Sequence, residues 1–156
     1  MTVRPADPSG TPAAPFWLGW AGVLPFAALA FAAVTRLSFP IEPARLLIGY
    51  GSAILSFMGG AQWGLATAAG QGSGGAPPRR FAVSVVPALV AWPALFLPPP
   101  HALATLALGF AALCAYDIGT VRRGEAPGWY GRLRMQLTAA VVILLMTTMA
   151  VELARA

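Results

Sequence analysis

Met135-Gln-Leu-Thr-Ala-Ala-Val-Val-Ile-Leu-Leu-Met-Thr-Thr-Met-Ala-Val-Glu-Leu-Ala154 is the most continuous apolar run of the chain, with a single charge, Glu152, near its end. At 1.5 Å per residue, a helix of about 20 such residues crosses the roughly 30 Å hydrocarbon layer of a bilayer. Lipid supplies no hydrogen bonds to backbone, so a run of this kind is stable there only as a helix. The remainder of the chain repeats the pattern in weaker form. Of its 156 residues 58% are hydrophobic and 10% charged, whereas a soluble domain carries about a quarter charged residues.

Four further runs precede this one. The first, Phe16 to Thr35, opens on Phe16, Trp17 and Trp20 and is interrupted by Pro25. The second, Ala44 to Ala69, follows Pro40 and Pro43 and ends in a Gly-rich loop, Gly70 to Gly75. The third, Phe81 to Leu97, is short and carries Pro87 and Pro93, which predict kinks. The fourth, Ala102 to Tyr116, starts after Pro98-Pro99-Pro100. The expected fold is therefore all-α, an integral membrane bundle of about five transmembrane helices (spans about 16–35, 44–69, 81–97, 102–116 and 135–154). Residues 1–15 read as a flexible or partner-ordered polar tail and 16–156 as one membrane domain. Ala28-Leu29-Ala30 has the small-residue character of a signal cleavage site, but no basic segment precedes it, so the first run is read as retained.

All ten basic residues are arginine, and the formal net charge is +5. They lie between the apolar runs, which assigns them to orientation and lipid contact and not to nucleic acid. Five spans place Arg4, Arg79, Arg80, Arg122, Arg123, Arg132 and Arg134 on one side and Arg36, Arg45 and Arg155 on the other. The arginine-rich side is expected in the cytoplasm, with the amino terminus in and the carboxyl terminus out.

Within the second run, Ser52, Ser56, Gly60, Gly64 and Ala68 recur every fourth position. A small-residue stripe of this spacing lets two backbones approach closely, so close helix packing is expected there, against a helix of the same chain before a second subunit. Gln62 and Trp63 lie in the same run. An amide in hydrocarbon needs partners, so Gln62 is read as an interhelical polar contact, or, with Trp63 and Ser56, as the lining of a small ligand cavity. Asp117 closes the fourth span and reads as an interfacial anchor paired with Arg79, Arg80 or Arg134. Trp129, Tyr130, Arg132 and Arg134, just before the last span, suit the lipid headgroup layer. His101 reads as a surface residue and Cys114 as a small buried hydrophobe. With one histidine and one cysteine, neither a disulfide nor a Cys/His metal site is expected. No catalytic set or phosphate loop is present, which predicts neither enzyme activity nor a cofactor.

The stretches Ile54-Leu-Ser-Phe-Met-Gly-Gly-Ala-Gln-Trp-Gly-Leu-Ala66, Ser84-Val-Val-Pro-Ala-Leu-Val-Ala-Trp92, Tyr116-Asp117, Ala126-Pro-Gly-Trp-Tyr-Gly-Arg-Leu-Arg134 and Leu137-Thr138 together resemble the inner-membrane family typified by transmembrane protein 69, a domain of unknown function. That resemblance implies a bacterial or mitochondrial inner membrane and about five helices, and supplies no activity. Members of that family often carry histidine before the motif tryptophan; Gln62 stands there in this chain, which argues against metal binding at the position. The expected role is a non-catalytic accessory or assembly subunit of a larger respiratory or photosynthetic complex in a bacterial inner membrane, in contact with membrane lipids and other membrane subunits. The alternative is a protein that binds or transports a small molecule, quinone or lipid.

Overall fold

Each helix among the described residues begins on a proline or directly after one. Proline lacks the N–H that a first helical turn leaves unused, and its ring presets φ, so it opens a helix without cost. Pro12, Pro98 and Pro127 stand at the N-caps of α1 (Ala13–Thr35), α4 (Pro99–Arg122) and α5 (Gly128–Leu153), while α2 (Pro43–Ala69) and α3 (Pro78–Ala94) start on the proline itself. The computed structural model describes residues 11–37, 39–69 and 78–155. The residues 1–10 of the expected tail and the Gly70 to Gly75 loop lie outside them.

The helix ends are closed by specific contacts. At the end of α1, Arg36 adopts a left-handed conformation and the Leu37 N–H donates to Ala32 O at 3.1 Å. The last carbonyls there, of Ala33 and Val34, accept from the Arg155 guanidinium at 2.9 and 3.1 Å. After α4, Gly124 takes φ 72°, which turns the N–H groups of Gly124 and Glu125 back onto Val121 O and Thr120 O, both at 3.0 Å.

Successive helices alternate in direction. Arg45 near the start of α2 donates to Leu97 O beyond the end of α3, at the end of the bundle where Arg155 meets α1. At the opposite end Arg80 of α3 pairs with Glu125 after α4. Each helix packs on its neighbours in sequence, α5 returns to α1, and α2 also crosses to α4. The centre is filled by Phe26, Leu47, Ile48, Leu55, Leu103, Leu106 and Leu145. Phe26 meets Tyr50 and Phe110 edge-on, with centroids 4.9 and 5.9 Å away.

Among the described residues three helices, α1, α4 and α5, are long and apolar enough to cross a membrane. The glycines, serines and Gln62 of α2 dilute its apolar character, and α3, with 17 residues, reaches about 25 Å. Boundaries differ from expectation: α1, α3 and α4 each begin three residues earlier, at Ala13, Pro78 and Pro99, α3 ends at Ala94, α4 runs six residues past Tyr116, to Arg122, and α5 starts at Gly128, taking Trp129 to Arg134 into its first turns.

The small-residue stripe of α2 divides. Ser52 is buried and its Oγ donates to Ala91 O of α3 at 3.2 Å, and Ser56 Oγ donates to Ser52 O at 2.8 Å within α2. Gly60, Gly64 and Ala68 are exposed, and a Cβ at Gly60 or Gly64 would meet nothing within 4 Å. These three therefore do not pack against this bundle. Close approach occurs one residue earlier: a Cβ at Gly59 would lie 2.5 Å from Ser84 O and 3.2 Å from Pro87 Cγ. Leu55, Gly59, Gln62 and Ala66 share the inward face, and a shift of one residue turns a helix by about 100°. Burial of the Gln62 amide sets that rotation.

Candidate functional site

Gln62 of α2, Asp117 of α4 and Arg134 of α5 meet inside the bundle. Gln62 Nε2 donates to Asp117 Oδ1, and Arg134 Nε donates to Oδ2 in an ion pair. The Tyr130 phenol oxygen is buried near the same carboxylate and makes no hydrogen bond among the described residues. Thr120 Oγ1 donates to the Asp117 backbone carbonyl at 2.6 Å. One carboxylate thus ties three helices together.

The expected pairing of Asp117 with Arg134 is present, but the two side chains face the bundle interior and not the lipid headgroup layer, which corrects that placement. Asp117 is 0% exposed and Arg134 5%. The reason lies in their helix faces. Leu103, Leu106, Phe110, Leu113, Asp117 and Thr120 follow a three-four spacing on α4, as do Arg134, Thr138, Val141, Leu145 and Thr148 on α5, and all are buried. Tyr116 ends the apolar run but not the helix, so Asp117 stays in register with the core. The sequence carried this periodicity; reading charge as a sign of the membrane edge concealed it.

Arg134 is not fully used by Asp117. Its Nη2 is buried without a hydrogen-bond partner among the described residues, and so is Thr138 Oγ1, one helical turn on. Threonines elsewhere in the bundle donate to the carbonyl four residues back: Thr35 to Phe31, Thr67 to Trp63, Thr105 to His101 and Thr148 to Leu144, at 2.7 to 3.0 Å. Thr138 makes no such bond. An unmade hydrogen bond on a buried polar group costs about 1–3 kcal/mol, more where charge is involved.

Both side chains line one groove of about 150 Å³, bounded by α1, α2, α5 and Phe110 of α4. Its floor is Phe26, Phe110 and Val141, and its rim is Leu18 and Phe57, which are 74% and 71% exposed. The groove therefore opens sideways, its walls are apolar, and its polar atoms are Arg134 and Thr138. Gly22 lines it as well, with open space where a Cβ would stand. On the other side of the carboxylate, a space of about 10 Å³, the size of one water, is lined by Gln62, Arg80, Thr120 and Glu125.

Of the other predicted site residues, Tyr130 lies beside this cluster and Trp63 and Trp129 do not join it. Trp63 is half exposed and packs edge-on against Phe81 at 4.9 Å, so it shares no cavity with Gln62. Trp129 packs against Tyr130 at 6.2 Å, and Arg132 is exposed. Cys114 is buried and His101 exposed. No group of three or more histidine, cysteine or acidic side chains gathers among the described residues. In the loop after α4, Glu125 is held below the usual carboxylate range, first by the hydrogen bond from Arg123 and then by Arg80.

Residues 11–150 match the model of a family described as Protein of unknown function (DUF3429). Transmembrane protein 69 of Xenopus tropicalis is 35% identical over 130 residues, covering 81% of this chain and 49% of that protein. The chain thus spans about half the length of the curated relative it matches. No solved structure matches it.

Proposed function

This chain belongs to the DUF3429 family of proteins of unknown function, and we propose that it is a non-catalytic membrane protein that holds a neutral amphipathic molecule, of quinone or lipid type, in the groove between α1, α2 and α5. One observation carries this reading: two buried polar atoms without partners, Arg134 Nη2 and Thr138 Oγ1, at the polar spot of an otherwise apolar, laterally open groove. Asp117 already neutralises Arg134. The complement is therefore an uncharged acceptor such as a carbonyl oxygen, with an apolar ring or chain lying along Phe26, Phe57 and Val141. Arg134 is six residues into α5, about 9 Å along its axis from Gly128, a depth a membrane-dissolved molecule reaches sideways without crossing water.

The bundle carrying this groove is read as five spans in a bacterial inner membrane, amino terminus in. Alternating helix directions and the gathering of Arg79, Arg80, Arg122, Arg123 and Arg132 at one end support that orientation. A second reading, an accessory or assembly subunit of a larger inner-membrane complex, draws on the exposed Gly60, Gly64 and Ala68 beside Trp63, a face able to take another membrane helix closely.

Titration of the purified chain in mild detergent with a decyl-substituted benzoquinone and with a monoacylglycerol separates these readings. The groove reading expects one-to-one saturable binding of at least one, weakened roughly 2- to 12-fold by Thr138→Val, the loss of one hydrogen bond, and more strongly by Gly22→Leu. Absence of binding to both probes, with the chain instead co-migrating with a large complex from mildly solubilised membranes, would favour the subunit reading.

A further inference from the structure

A second groove runs along the outside of α3 and α4. Val83, Val86, Pro87 and Val90 of α3 face Ala112, Leu113 and Tyr116 of α4 across an apolar space of about 290 Å³. At the arginine-rich end it meets a second space of about 240 Å³, lined by Arg79, Arg80 and Arg123, and the two share Val83 and Tyr116. Three guanidinium groups converge there against one acid, since Arg80 and Arg123 both pair with Glu125. Arg79 makes no ion pair among the described residues. Arg123 lies over the Tyr116 ring at 5.8 Å, which fixes its guanidinium at the junction of the two spaces.

We propose that this continuous surface is a binding site for an anionic phospholipid, the headgroup phosphate on Arg79, Arg80 and Arg123 and one acyl chain along Val83, Val86 and Ala112. Charge and shape each point to the same occupant. The excess of positive charge calls for a phosphate, and guanidinium groups pair with phosphate oxygens through parallel N–H donors. The apolar groove leads from that charge along the helices, as an acyl chain leads from its headgroup, and basic pockets between membrane helices take anionic lipids in this way. A free phosphate would use only the arginines. A neutral lipid would use only the groove. This site stands apart from Arg134 and Thr138 and does not depend on what occupies their groove.

The chain, reconstituted in nanodiscs containing phosphatidylcholine and phosphatidylglycerol, then re-extracted in mild detergent, is examined by native mass spectrometry for retained lipid. The expected result is preferential retention of one phosphatidylglycerol. Arg79→Gln and Arg123→Gln should each weaken retention roughly fivefold, the worth of one arginine beside an anionic lipid. Arg80 stays unchanged to hold Glu125. Ala112→Phe, which fills the exposed groove, should reduce retention while leaving all three arginines in place. Thermal unfolding of each variant separates lost binding from lost fold, and a variant that unfolds is replaced by Arg79→Lys or Ala112→Leu at the same position. Equal retention of phosphatidylcholine, unchanged retention in Ala112→Phe, or displacement of the lipid by inorganic phosphate at millimolar concentration overturns the proposal; the last would make this a free-anion site.

Discussion

Replacing Asp117 with alanine removes the carboxylate that accepts from both Gln62 and Arg134 and leaves the Arg134 charge buried beside a groove. Breaking a buried ion pair by deleting one partner costs about 3–5 kcal/mol. An interhelical hydrogen bond in a membrane bundle is worth about 0.6–1.7 kcal/mol, so the lost bond from Gln62 is the smaller share of that cost. Asp117→Ala should therefore destabilise the chain by about 3–5 kcal/mol. The assay is reversible unfolding in mixed micelles with rising SDS, followed by tryptophan fluorescence. The partner variant is the sharper arm: Asp117→Leu with Arg134→Met exchanges the pair for packed apolar side chains, leaves only the Gln62 amide without its acceptor, and should cost about 1–3 kcal/mol. Gln62→Leu, which leaves the ion pair whole, should cost only about 1 kcal/mol. The reasoning is refuted if Asp117→Ala stays within about 1 kcal/mol of the parent, or if the double variant is as unstable as the single one.

Gly59→Ala should be more damaging than Gly60→Ala, because only the first places a Cβ against the Ser84 carbonyl, and the difference should be about 1–3 kcal/mol in the same unfolding assay. Gly124→Ala forces a Cβ into the left-handed turn after α4 and should cost about 1 kcal/mol. The folded pKa of Glu125 is depressed, so its contribution is present above the ordinary value of 4.5 and is lost as pH falls through the lower folded value. Melting temperature should thus drop below pH 4.5 by less in Glu125→Gln than in the parent. Arg155→Ala uncaps the carbonyls of Ala33 and Val34, which faster hydrogen exchange at the end of α1 should report.

The helices were legible in sequence because hydrocarbon leaves a chain few choices. Long apolar runs must be helical there, and proline marks where each begins. Rotation about the helix axis was less legible. The stripe of Ser52, Ser56, Gly60, Gly64 and Ala68 and the face of Leu55, Gly59, Gln62 and Ala66 are both regular on α2, and the sequence of α2 alone does not say which turns inward. The deciding fact, the Asp117 carboxylate opposite Gln62, belongs to another helix. The pairing of Asp117 with Arg134 is legible as one of three candidate pairs, but its burial is not, because a charge at the end of an apolar run reads as an interface residue until the helix is seen to continue past it. The groove was illegible altogether, since Leu18, Gly22, Phe57 and Thr138 lie on three helices and become one surface only after folding.

Native mass spectrometry of the chain extracted gently from its own membranes addresses the α1–α2–α5 groove directly. The wild type should carry one small neutral amphipathic molecule per chain, and Gly22→Leu with Thr138→Val should lose it while retaining the parent melting transition. A wild type that carries no such molecule, or a folded variant that carries it equally, would contradict the assignment of Arg134 and Thr138 to a ligand.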